Sequence, residues 1–100
     1  MGIGASKDVS IDAFLRAMSD VTTEWFVNAN WDGDQCAVGL TSTAVAGHEA
    51  YVSSWAKPEG HYFVELELAG SPPAAYTTLA SVEDLSLAKS VEMVANHLSK

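Results

Sequence analysis

HYFVELELA, residues 61–69, decides how this chain folds. Tyr62, Val64, Leu66 and Leu68 alternate with His61, Phe63, Glu65 and Glu67. A period of two places the first set on one face of a β-strand and the second on the other. The apolar face has to be covered by something. The opposite face carries an aromatic ring and two carboxylates.

Upstream, KPEG (57–60) is a turn that joins this strand to TSTAVAGHEAYVSSWA (41–56). That segment reads two ways. Val45, His48, Val52 and Trp55 share a helix face, while Tyr51, Ser53 and Trp55 alternate as on a strand. Gly47 weakens the helix and the turn favours a hairpin, so a strand is expected. If 43–55 is helical instead, the element order becomes α-ββ-α-ββ-α.

Further upstream, WDGD (31–34) carries an Asp-Gly reversal, in which glycine would supply positive φ. QCAVGLT (35–41) is the returning strand, with Cys36, Val38 and Leu40 on one face. TTEWFVNANW (22–31) is read as a strand from its β-branched and aromatic content, although the stripe of the preceding helix could run on into it. That first helix is expected at 9–20. Ile11, Phe14, Leu15, Met18 and Val21 form its apolar stripe, and Asp8 or Ser10 is placed to cap it.

Downstream, Pro72 and Pro73 end the strand, and AAYTTLA (74–80) allows one more short strand at an edge. SVED (81–84) has the form of a capping box, with Ser81 as N-cap and Asp84 reaching back. A final helix is therefore predicted from that point. Leu85, Ala88, Val91, Val94, Ala95 and Leu98 would form its buried stripe, and His97 would sit at the negative end of its dipole.

These elements assemble into an α+β fold. An N-terminal helix precedes a four- to five-stranded, mostly antiparallel sheet, and a C-terminal helix follows, both packing on one sheet face. Residues 1–7 form a flexible lead-in, and 8–100 a single small domain. No repeat, linker or low-complexity tract divides it.

Composition narrows function mainly by exclusion. With 48% apolar residues the chain can build a core. Five Lys and Arg against thirteen Asp and Glu give a net charge of −8, and the basic residues are scattered. Direct nucleic-acid binding is not expected of such a surface, whereas steering of a basic protein partner is. The lone Cys36 allows no internal disulfide, and no apolar run nears the roughly 20 residues of a membrane span, so a cytoplasmic location is expected. At the N-terminus, Met1, Gly2 and Ser6 fit M-G-x-x-x-[ST], a myristoylation pattern on Gly2. With no polybasic cluster or nearby cysteine to add a second anchor, it is read as a loose end, and membrane attachment is expected only if Gly2 is acylated.

The remaining motifs point away from chemistry. Asn28, Asn30, Asp32 and Gly33 match the start of a calcium loop, but Gly39 stands where the bidentate glutamate should be. Cys36, His48, His61 and His97 share no metal-ligand spacing, and no G-x-S-x-G elbow surrounds a serine. No metal, cofactor or catalytic residue is assigned.

Six aromatics (Trp25, Trp31, Tyr51, Trp55, Tyr62 and Phe63) are more than 100 residues bury easily, and exposed ones anchor interfaces. The expectation is a small, acidic, non-catalytic protein-binding module of the inhibitor, immunity or adaptor kind, occupying a larger basic protein, one that could handle nucleic acid. Trp31, Asp32, Asp34, Phe63, Glu65 and Glu67 are its partner-binding candidates. The alternative is a small-molecule-binding domain or accessory enzyme subunit. Its pocket would lie between sheet and helix, lined by Trp25, Tyr51 or Tyr62. Self-association through the sheet edge near AAYTTLA would give a homodimer.

Overall fold

The computed structural model describes residues 7–70 and 76–99. Its elements are α1 (Val9–Val21), β1 (Trp25–Val27), a 3₁₀ turn (Ala29–Trp31), β2 (Ala37–Ser42), β3 (His48–Ser53), β4 (His61–Ala69), β5 (Tyr76–Ser86) and α2 (Leu87–Leu98). The five strands form one antiparallel meander in the order β1-β2-β3-β4-β5. The fold is α+β with a helix at each end, as the alternation in 61–69 and the flanking stripes imply. Segment 43–55 contributes a strand and not a helix, so the hairpin reading holds.

The core lies between the sheet and the two helices. Register lines up Val38, Val52, Val64 and Val82 across four strands, and Leu40, Ala50, Leu66 and Ala80 in the next row. Ile11, Phe14 and Met18 descend onto this face from α1, and Val91, Val94, Ala95 and Leu98 from α2. Asp8 caps α1, its carboxylate accepting from the N–H of Ser10 and from the hydroxyl of Ser54 beyond β3. The far end of α2 is held by Ser42, whose hydroxyl donates to the Leu98 carbonyl and accepts from the N–H groups of Ala44 and Val45.

Three local expectations need correction. The C-terminal helix does not start at the SVED box. Residues 81–86 belong to β5, which is 11 residues long, and Ser86 is the N-cap, accepting from Lys89 N–H at 3.3 Å. Asp84 does not reach back to a helix end but faces His61 at 2.9 Å. The nine-residue β4 needs a partner along its length, and continuing β5 sets Val82 opposite Val64 and Leu85 opposite Tyr62. That ladder and burial outweigh a capping motif worth about 1 kcal/mol. Leu85 accordingly packs from a strand, and Ala88 is exposed.

The second correction concerns 21–31. Val21 completes α1, Thr22 caps it in extended geometry, and the strand is only Trp25–Val27. Trp25 Nε1 donates to the Thr22 carbonyl at 2.7 Å, which folds the indole back toward α1 and the core.

Third, the reversal near WDGD does not use positive φ at Gly33; among the described residues, Gly47 and Gly60, in the β2–β3 and β3–β4 turns, are the glycines that do. The chain turns instead through the 3₁₀ segment, started by the Asn28 side chain accepting from Asn30 N–H.

Gly2 and the rest of residues 1–6 lie outside the described residues, so the acylation pattern has no structural counterpart here. Among the described residues no helix is long and apolar enough to cross a membrane.

Candidate functional site

Both helices cover one sheet face, which leaves the other face open. Register assembles that face from Gly39 and Thr41 on β2, Glu49, Tyr51 and Ser53 on β3, Phe63, Glu65 and Glu67 on β4, and Ser81 and Thr78 on β5. In a strand every second residue points the same way, so these side chains share one side of the sheet.

An aromatic band crosses it. The rings of Trp31 and Tyr51 lie 4.7 Å apart at 58°, and those of Tyr51 and Phe63 lie 5.9 Å apart at 65°. These are the tilted and edge-on arrangements that aromatic quadrupoles favour. Trp31 reaches Tyr51 because nothing projects from Gly39, the β2 neighbour of Tyr51. A Cβ there would stand 2.6 Å from Asn28 Oδ1 and 2.9 Å from Trp31 Cδ1. The Trp31 segment is secured from two sides. Asn28 Nδ2 donates to Thr41 Oγ1 at 3.1 Å. Lys7 Nζ donates to the carbonyls of Trp31 and Asp34 at 2.8 and 2.6 Å.

Beside the band lie three carboxylates. Glu49 pairs directly with Glu67 across the β3–β4 ladder, and Glu65 sits two residues before Glu67 on the same face. All three are half-buried. Partial burial, a hydrogen bond with Glu65 and the negative charges of Glu65 and Glu49 push the Glu67 carboxyl from the ordinary 4.5 up to about 7. A surface cavity of about 450 Å³ opens here, bounded by Trp31, Tyr51 and Tyr76 above Glu49, Glu65 and Glu67. Among the described residues its lining includes no Ser, Cys, His or Lys. A second depression on the far side of Tyr51 is lined by Trp55, Lys57, Phe63 and Glu83.

Of the residues singled out in the sequence, Trp31, Glu65 and Glu67 come together in this cavity, and Phe63 adjoins it through Tyr51. Trp31 is 41% exposed, whereas Phe63, at the other end of the band, is half-buried. Asp32 and Asp34 do not line it. They follow the 3₁₀ turn, and Asp34 Oδ1 accepts from Cys36 N–H at 2.9 Å. Sequence reasoning did not assign Glu49, Tyr51 or Tyr76 to the partner-binding set. Glu49 and Tyr51 carry a signal, since both fall on one face once 48–53 is taken as a strand. It also missed Trp55, the most exposed large aromatic at 72%, which projects from the β3–β4 turn beside Ala56 at φ 59°.

The aromatics named for an internal pocket are committed elsewhere: Tyr62 is fully buried and Trp25 packs against the core. A larger groove of about 720 Å³ runs between α1 and α2, lined by Ala17, Val21, Leu87, Ala88, Val91 and Ala95 with Asp20, Lys89, Glu92 and Asn96 at its edges. Compared with known protein families, curated proteins and solved structures, the chain finds no match.

Proposed function

We propose that this chain is a small, acidic, non-catalytic protein-binding module that docks a basic partner on its open sheet face, in the manner of an inhibitor or immunity-type protein. The observation that carries the reading is the contact chain Trp31–Tyr51–Phe63 lying next to Glu49, Glu65 and Glu67. Aromatic rings with a polar edge make effective interface anchors, and an acidic surround accelerates encounter with a positive surface. The net charge of −8 acts in the same direction.

Site-specific photocrosslinking tests this. A photoreactive residue replacing Ser81, which is exposed on the open face opposite Glu65, should trap a basic protein from the native host, with a yield that falls as salt rises. The same residue replacing Ala88, on the helical side, should not. Equal trapping from both positions, or yields indifferent to salt, would overturn the reading.

The α1–α2 groove favours a second reading, a small-molecule-binding or accessory domain taking an apolar ligand against Val21, Leu87 and Val91. A thermal-shift screen of apolar compounds, compared between the parent chain and Ala88→Glu, distinguishes it.

A further inference from the structure

Resting on the reading of the open face as a docking surface, we infer that the cavity between Trp31, Tyr51 and Tyr76 receives a single arginine side chain of the partner, its guanidinium lying against the rings and forking onto Glu49, Glu65 and Glu67.

Charge complementarity carries the choice. Like charges directly opposed on neighbouring strands destabilise a sheet, yet Glu49 faces Glu67, with Glu65 beside them. No cation among the described residues offsets the three. Among the described residues the ion pairs are Lys57–Glu83 and Lys89–Glu92, and His61 is hydrogen-bonded to Asp84. Lys7 is engaged by the carbonyls of Trp31 and Asp34. Among the described residues, the groups facing Glu67 are Glu65 on its own strand, Glu49 on β3, and Thr78 and the Tyr76 phenol on β5; from α2, His97 Nε2 meets the Glu67 main-chain carbonyl at 3.0 Å. The trio is half-buried, so water screens it incompletely; burial first, and then the neighbouring Glu65 and Glu49, raise the Glu67 carboxyl.

The walls select the kind of cation. Trp31 and Tyr51 offer ring faces and edges at 4.7 Å, and Tyr76, 49% exposed, stands at the cavity's other side on β5. A guanidinium is planar, weakly hydrated and able to stack on aromatics while donating two parallel hydrogen bonds to a carboxylate. An ammonium is a strongly hydrated point charge with no plane to stack. A cavity of about 450 Å³ accommodates one such side chain with its stem.

The test titrates the full chain with N-acetyl-arginine amide, followed by ¹H–¹⁵N spectra with the Trp31 indole as reporter. The controls are N-acetyl-citrulline amide, the uncharged isostere, and N-acetyl-lysine amide. At pH 8 the arginine probe should give saturable shifts at Trp31 and along β3 and β4. Citrulline should bind at least tenfold more weakly, and lysine several-fold more weakly. Lowering the pH to 6 should weaken arginine binding several-fold, because the Glu67 carboxyl then holds a proton. Glu49→Gln and Glu67→Gln, each checked for an unchanged far-UV spectrum, should each cost several-fold at pH 8. Absent or unsaturable shifts, citrulline matching arginine, or lysine binding as well as arginine would each overturn the inference. Should the arginine probe fail while the residue-81 crosslink still traps a basic protein, this inference falls and the docking face stands. Should the probe bind while crosslinking is equal from both faces, the cavity is a guanidinium site but the docking reading falls, and with it the partner's arginine as the occupant.

Discussion

Tyr62, at the start of β4, donates its hydroxyl to the main-chain carbonyl of Ser10 in the first turn of α1 at 2.6 Å. Ser10 Oγ in turn accepts from the N–H of Gly60 at 3.1 Å. Ser10 thus ties the first helix both to β4 and to the β3–β4 turn that precedes it. Burial pushes the Tyr62 phenol above its ordinary 10.0, so it remains a donor throughout the physiological range. Tyr62→Phe should cost about 1–2 kcal/mol, because it removes a buried hydrogen bond between β4 and α1. A lowered urea midpoint at constant slope is the expected readout.

Ser86, and not Ser81, caps α2. Ser86→Ala should therefore destabilise by about 1 kcal/mol. Ser81→Ala, on the exposed side of β5 opposite Glu65, should stay within about 0.5 kcal/mol. Thermal melts of the two variants check this, and the reverse order would move the helix start back to the SVED box.

Ser90 is fully buried in α2, and among the described residues its hydroxyl has no hydrogen-bond partner. An unpaired buried hydroxyl costs about 1–3 kcal/mol. Ser90→Ala removes the polar atom and adds helix propensity, so it should stabilise the chain by about 1 kcal/mol. Differential scanning calorimetry should show a higher Tm.

Glu67 gives the chain an unusual pH dependence. Its folded-state value, about 7, lies above the ordinary 4.5, so the folded chain holds this proton more tightly than the unfolded one. The stabilising contribution is complete below about pH 4.5 and is lost as pH rises through about 7. Glu67→Gln should remove that decline, leaving the variant more stable than the parent at pH 8 and little changed at pH 4.5. Because the carboxyl is only half-buried, solvent screening keeps the pH 8 gain to about 1 kcal/mol. Urea midpoints measured across pH 4–8 provide the comparison.

Gly39 decides where Trp31 lies. Gly39→Ala forces a methyl against Asn28 Oδ1 and Trp31 Cδ1, contacts that ordinary packing does not accept. A destabilisation of about 1–3 kcal/mol is expected, with displacement of the 3₁₀ turn. Loss of the Trp31–Tyr51 ring contact in NOE spectra would mark that displacement.

The sequence by itself determined what depends on near neighbours. The alternation in 61–69 set which side chains share a face of β4, and the stripes Ile11–Phe14–Met18 and Val91–Val94–Leu98 set which sides of the helices are buried. From these came the α+β class and the open face bearing Phe63, Glu65 and Glu67.

Only the tertiary structure decided where α2 begins and how the candidate site is composed. SVED and the S86–K89 segment both offer a serine cap, and the choice fell to the pairing of Val82 and Leu85 with β4. Glu49 meets Glu67, and Trp31 meets Tyr51, across gaps of 18 and 20 positions. Strand register sets the first meeting and the bare surface at Gly39 the second. Register follows from the summed packing of every row at once, so no local window of sequence contains it.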